Sequence, residues 1–304
     1  MSEPEAMIAG GRAGPARGIP RRDGPIPAVP GGPAAADPAP VEAWVELSHG
    51  RTRYLRVGAG HPVLFLHGVG FTDGAESWSR AIRHLAPSHD AIAVDLLGWG
   101  DGDRLEAEYS FAYLVDFVRE FQDALGLRSC DVVGHSMGGW VASLLAYESP
   151  QRVDRLVLVA SGGTATRPLG SMTRFEPPAS AGEIRRALID QRGHPDDAAT
   201  EALARAQFER GRTPGRVEAY RRILRHMTDP VHRARYSTVR RLPMISAPTL
   251  VVWGRHDDVN DLELGRRTAE LVHGSELVVL DCGHFPMTQA TGEFHDALTR
   301  FLDR

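Results

Sequence analysis

The sequence predicts an α/β protein: a doubly wound, mostly parallel sheet interrupted by a helical insertion. Three observations predict it. Short apolar runs of strand length alternate with segments of helical spacing. Several of those strand candidates end in turn-rich motifs, such as Leu66-His67-Gly68-Val69-Gly70 and Asp95-Leu96-Leu97-Gly98-Trp99-Gly100. Residues 164–243 carry helical patterns only, and the strand pattern resumes at Thr249.

Taken in order, residues 1–40 hold nine of the 21 prolines and seven glycines, with four arginines balancing four acids. Such a composition cannot bury enough apolar surface to offset chain entropy, so a disordered tail is expected. It has no apolar segment of the secretory-leader type. Residues 42–47 and 51–57 alternate around Ser48-His49-Gly50, a hairpin signal. Residues 62–66 form a compact apolar strand, 75–85 a helix and 91–94 a strand. Leu114, Phe117, Val118, Phe121 and Leu125 place a helix over 111–125. A strand over 130–133, a helix over 140–147 and a buried strand over 156–159 follow. Ser161-Gly162-Gly163 ends that rhythm. Residues 181–190, 198–210 and 217–227 are amphipathic helices. Strands at 249–252 and 277–280 and a helix at 292–302 complete the pattern. The core is therefore assigned to residues 41–163 and 244–304, and a helical cap to 164–243.

Hydrophobic residues at 42% and charged residues at 24% are ordinary for a globular chain. No apolar run is long enough to span a bilayer. Cys130 and Cys282 fall in or beside core strands and read as reduced thiols. Every one of the 35 basic residues is arginine, which excludes Schiff-base chemistry on a lysine of this chain. The net charge of −4 divides unevenly: 16 arginines against nine acids give the cap +7, and the core carries −11. A basic cap over an acidic core is expected to be held electrostatically, and it could also concentrate an anionic substrate. The expected partner is a small molecule, with no nucleic acid and no membrane. A cytoplasmic location is expected, and a homodimer is compatible with the sequence.

The chemistry centres on Gly134-His135-Ser136-Met137-Gly138-Gly139, between an apolar strand and a helix. Strand, Gly-x-Ser-x-Gly and helix together describe a nucleophile elbow, in which a tight turn presents Ser136 beside helix amides. Ser136 needs a base, and the base needs an orienting carboxylate. His284 follows the strand over 277–280, and Asp257 follows the strand over 249–252. Both therefore fall beyond the carboxyl ends of strands, where such sheets build their sites. The amides of Met137 and Val69 are the candidate oxyanion donors, and His67 reads as a brace for the second loop. His256 precedes the acid and His273 lies in a helix, so neither suits the role of base. His194-Pro195-Asp196-Asp197 reads as a polar loop in preference to a metal site. No metal or organic cofactor is required.

With its other motifs, Trp253-Gly254-Arg255-His256-Asp257 and Gly283-His284-Phe285, the chain resembles the α/β-hydrolase superfamily from about residue 41 onward. The resemblance implies the order Ser136, Asp257, His284 for nucleophile, acid and base. It selects Asp257 over Asp258, because the family's acid stands three residues after the glycine. It also disfavours the dehalogenase and epoxide hydrolase branches, which carry an aspartate at the elbow.

The cap and the spacing look like those of the carbon–carbon bond hydrolases of aromatic degradation, which bind a substrate carboxylate with a cap arginine. Arg205 stands about where that arginine would fall. That branch usually has Asn before the nucleophile and Trp after the histidine. His135 and Phe285 stand there in this chain and are more typical of esterases and cofactor-free perhydrolases. Phe71, Trp99, Met137, Trp140 and Phe285 are candidate pocket walls. The sequence reading therefore favours a serine hydrolase of an ester-like carbonyl substrate, neutral or anionic. Carbon–carbon hydrolysis of a 2-hydroxy-6-oxo-dienoate, perhydrolysis and a non-catalytic small-molecule receptor remain as alternatives.

Overall fold

Period-two alternation decides how the sheet is covered. Leu64, Leu66, Val132, Leu156 and Leu158 enter one buried cluster, while their neighbours Val63, Phe65, Val133, Val157 and Val159 enter another. Strands buried on both faces need cover from helices on both sides. A computed structural model of the chain describes residues 38–165 and 175–304. Its strands are β1 (Val41–Leu47), β2 (Gly50–Gly58), β3 (His61–Leu66), β4 (His89–Val94), β5 (Cys130–His135), β6 (Val153–Val159), β7 (Thr249–Gly254) and β8 (Glu276–Leu280). They form one sheet in the order β1-β2-β4-β3-β5-β6-β7-β8. The pairs β1–β2 and β2–β4 are antiparallel, and every later pair is parallel.

The helices flanking the sheet are α1 (Ser79–Leu85), α2 (Phe111–Ala124), α3 (Met137–Glu148), α8 (Leu262–Leu271), α9 (Pro286–Gln289) and α10 (Thr291–Leu302). Phe111, Leu114, Phe117, Val118 and Phe121 of α2 join the first cluster, with the apolar face of α3. Ile82 and Leu85 of α1 join the second, with Phe294, Leu298 and Phe301 of α10. The expected helix over 75–85 divides: Ala75–Trp78 is a tighter 3₁₀ turn, and α1 begins at Ser79.

The insertion between β6 and β7 contains α4 (Ala181–Asp190), α5 (Ala198–Gly211), α6 (Arg216–Thr228) and α7 (Pro230–Tyr236). The expected tail, apart from residues 38–40, and part of the expected cap, residues 166–174, lie outside the described residues. Ser180 and Asp197 cap α4 and α5 by accepting from the amides of Glu183 and Thr200. That capping role accounts for Asp197 without a metal. Ile184, Leu188 and Ala204 make a small apolar cluster between α4 and α5. Tyr220, Ile223 and Met227 of α6 instead enter the core cluster.

Arginines tie this insertion to the core. Arg210 pairs with Glu76 at 3.0 Å and Asp101 at 3.1 Å. Arg192 pairs with Asp73 at 2.6 Å. Buried Arg216 donates to the carbonyls of Gly98 and Phe71. Arg210 and Arg192 thus meet carboxylates, while Arg216 holds neutral carbonyls. No helix among the described residues is long and apolar enough to cross a membrane.

His226 of α6 accepts from the amide of Phe111 at 3.2 Å, joining the insertion to α2. Burial first, and then the neighbouring His232, lower its pKa to about 4. His295 on α10 is likewise lowered to about 4, by burial and His84. Below the ordinary histidine value of 6.5 the unfolded chain binds protons that these folded histidines refuse. Their contribution to stability is therefore complete above that value and declines as pH falls toward 4. The melting temperature is expected to drop across this window, and a flat profile there would count against the assignment.

Candidate active site

Ser136 sits at φ 53 and ψ −112, a conformation that non-glycine residues avoid. Its surroundings hold it there. A Cβ on Gly134 would lie 2.5 Å from the carbonyl oxygen of Gly138. One on Gly138 would lie 2.3 Å from that of Leu66, so only glycine lets α3 start so close to β3. The Ser136 amide donates to Val159 at 2.9 Å, and its carbonyl accepts from Trp140 and Gly162. Gly138→Ala is expected to destabilise the fold by several kcal/mol, because the clash is with backbone and side-chain repacking cannot relieve it. Urea unfolding measures this; an unchanged midpoint would contradict the geometry.

Asp257 and His284 come together across the β7 and β8 ends. His284 Nδ1 lies 2.8 Å from Asp257 Oδ2. The other Asp257 oxygen accepts from the amides of Val259 and Asn260, both at 2.9 Å. The carboxylate is fully buried and the imidazole nearly so. Gln289 supports the same turn: its Oε1 accepts from the amides of Gly283 and Phe285, and its Nε2 donates to Gln191 of the insertion.

Ser136 and His284 line one cavity of about 380 Å³, with Val69, Gly70, Asp73, His135, Phe175, Arg192, Val259 and Phe285 among its walls. Val69 lies on a loop pinned at four points. His67 bridges the Gly68 carbonyl at 2.7 Å and the Leu96 amide at 3.0 Å. Trp99 donates to the Gly70 carbonyl, Asp73 accepts from the Gly70 amide, and Arg216 holds the Phe71 carbonyl. Met137 opens α3, so its amide is among the first-turn donors that lack an intrahelical acceptor.

Several expected wall residues belong elsewhere. Arg205, expected to bind a substrate carboxylate, is instead 73% exposed, paired with Glu201 one turn away and not among the residues lining the cavity. Trp99 is core, edge-on to Tyr220 and His67. Trp140 packs against Phe111 and donates to Tyr236, fastening α7 to α3. Phe71 faces a separate cavity of about 580 Å³ with Phe208 and Val217. Phe285 does line the Ser136 cavity.

Sequence reasoning missed Asp73 and Arg192. The arginine follows α4 and stacks 4.7 Å over the Phe285 ring. Burial alone would raise the Asp73 carboxyl, but Arg192, His67 and His135 outweigh it and hold the pKa below its ordinary value. No local motif marks either residue; only the docking of the insertion brings them together. His135 also acquires a place. Its Nε2 donates to the carbonyl of His284 at 2.8 Å. Burial, and then His284, lower its pKa to about 3, so it is neutral. Arg192→Ala strands a buried carboxylate and is expected to cost about 3–5 kcal/mol. Adding Asp73→Asn should recover most of that loss in chemical denaturation; no recovery would mean that Arg192 acts through packing alone.

The comparisons agree with the fold. The family profile described as alpha/beta hydrolase fold matches residues 61–291. The 2-hydroxymuconate semialdehyde hydrolase of Pseudomonas sp. (strain CF600) is 31% identical over 268 residues, covering 83% of this chain and 90% of that protein. A solved meta-cleavage product hydrolase from Pseudomonas fluorescens IP01 superposes with a TM-score of 0.75 at 28% identity, covering 86% of this chain and 97% of the other. A membrane phospholipase A described as a bacterial virulence factor gives 0.71 at 26% identity, covering 87% and 86%.

Proposed function

The chain belongs to the α/β hydrolase fold family, and from that premise we propose that it is a serine hydrolase cleaving the carbon–carbon bond beside a carbonyl in a small 2-hydroxy-6-oxo-dienoate. One observation carries the hydrolase reading: strained Ser136 shares its cavity with His284, whose ring is oriented by buried Asp257. In this reading His284 removes the Ser136 proton and the oxygen attacks the 6-oxo carbonyl. The amides of Val69 and Met137 stabilise the oxyanion, each contributing about 2.7–4 kcal/mol by analogy with measured donors. The bond electrons leave with the dienol fragment, which takes up the proton. Water, activated by His284, then releases the acyl group as a carboxylic acid. No step needs a cofactor.

Support for this bond type comes from the relatives named for such substrates, which match along most of both chains. A second reading, hydrolysis of an ester, is supported by the cavity wall. Arg192 is already paired with Asp73, and Phe175, Phe285, Val69 and Val259 offer apolar contact that suits a neutral acyl group. A substrate panel separates the two. A 2-hydroxy-6-oxo-dienoate should be turned over with a kcat/KM at least tenfold above that of a p-nitrophenyl ester. The reverse order would favour the esterase. Peracid formation from acetate and peroxide as the main activity, or tight ligand binding without turnover, would overturn both. Arg205→Ala is expected to leave kcat/KM and stability within experimental error, as surface substitutions usually do.

A further inference from the structure

At the end of the sheet opposite Ser136, three adjacent strands begin with metal-ligating side chains. His61 is the first residue of β3, and Asp131 and Asp154 are the second residues of β5 and β6. Their nearest donor atoms all lie within 4.8 Å of one another. His61 Nε2 is 3.5 Å from an oxygen of Asp131 and 3.4 Å from one of Asp154.

Those separations are long for hydrogen bonds. They fit a different object. A tetrahedral ion bound at about 2.0–2.1 Å has ligand–ligand edges of about 3.3–3.4 Å. We infer that His61, Asp131 and Asp154 form a structural site for a divalent transition metal of the zinc type, clipping three parallel strands together.

An independent observation points the same way. The Asp131 side chain is fully buried, yet neither carboxylate oxygen has a hydrogen-bond partner among the described residues. The long ion pairs to His61 and Arg155 offset only part of the desolvation cost of a buried carboxylate that accepts no hydrogen bond. Arg155 approaches one oxygen only to 3.7 Å, so it does not complete the set. The strand is also shaped for the purpose. The β5–β6 register gains a residue on β6, so that Asp154 and Arg155 together face Asp131 between the Cys130–Val153 and Val132–Leu156 pairs. Such breaks re-aim a side chain. His61 and Asp154 are partly exposed, which supplies an entry path and room for a water as fourth ligand. The imidazole favours zinc-type ions over calcium or magnesium, whose ligands are oxygens. Asp131 and Ser136 are five residues apart in sequence, about 16 Å at strand rise, so the ion would stand away from the hydrolytic chemistry.

The test uses the full chain, stripped with EDTA and titrated with Zn²⁺, with Co²⁺ as a coloured reporter. One equivalent should bind and give Co²⁺ a tetrahedral visible spectrum. Zinc at a hundredfold excess over its Kd should raise the melting temperature by roughly 5 °C. His61→Ala and Asp154→Asn change partly exposed side chains and should fold; each should lose the spectrum and the shift. Fluorophosphonate labelling of Ser136 should be the same with and without zinc. Absence of stoichiometric binding, binding retained in both variants, or zinc that blocks labelling would each overturn the proposal.

Discussion

Ser136→Ala is expected to abolish fluorophosphonate labelling and to lower kcat by about 10⁶-fold, the loss seen when a triad serine is removed. The change tests chemistry in isolation, because alanine keeps the Cβ that already tolerates φ 53. The Ser136 side chain makes no capping bond to α3, so its removal orphans no amide. The melting temperature should stay within a degree or two of the parent. Labelling that persists at another serine would refute the assignment of the nucleophile. Loss of both labelling and fold would mean that the serine supports the elbow, and its role would have to be retested with Ser136→Cys.

Asp257→Asn should lower kcat by about 10⁴-fold while leaving the protein folded. One oxygen of Asp257 accepts two amides and the other faces His284 Nδ1. An asparagine can keep its oxygen toward the amides of Val259 and Asn260. Its NH₂ then meets the imidazole, whose Nδ1 must become an acceptor. The ring proton moves to Nε2, and the nitrogen available to Ser136 loses its lone pair. Steady-state kinetics with a circular dichroism control would check this. A loss below tenfold would mean that another carboxylate orients His284, and Asp258 on the cavity wall would be the first to examine.

The elbow, the base and the acid were legible because each is tied to the end of a strand. Gly134 and Gly138 are required because a Cβ there would lie 2.5 and 2.3 Å from backbone oxygens, and such requirements leave a local mark in the sequence. The alternation of strand and helix placed His284 after β8 and an aspartate after β7, and the family resemblance chose Asp257 over Asp258. The insertion was legible as helices and illegible as a surface. Periodicity tells which face of α4 is apolar, but nothing in it says that Arg192, just beyond α4, reaches the cavity while Arg205 of α5 points to solvent. Docking decides that, through pairs such as Arg210 with Glu76 and Arg216 with the Phe71 carbonyl, which join residues far apart in sequence. Short α7 was missed although its signals are local: Asp229 accepts from the His232 amide, and Pro230 occupies the first turn. Trp99 and Trp140 were misplaced for a related reason. Their rings pack in the core while their N–H groups hold carbonyls of Gly70 and α7, a split that residue type cannot reveal.

The position of the insertion also governs how the chain can be made. β6 pairs with β7 along Leu156–Val159, yet 89 residues separate Val159 from Thr249. At about 5–20 residues per second, roughly 5–18 s pass before the ribosome delivers the partner. Meanwhile Leu156-Val157-Leu158-Val159 presents an apolar open edge, the kind of strand that recruits other chains. Yield from a heterologous host should therefore depend on growth temperature and on chaperone supply more than the stability of the finished protein would suggest.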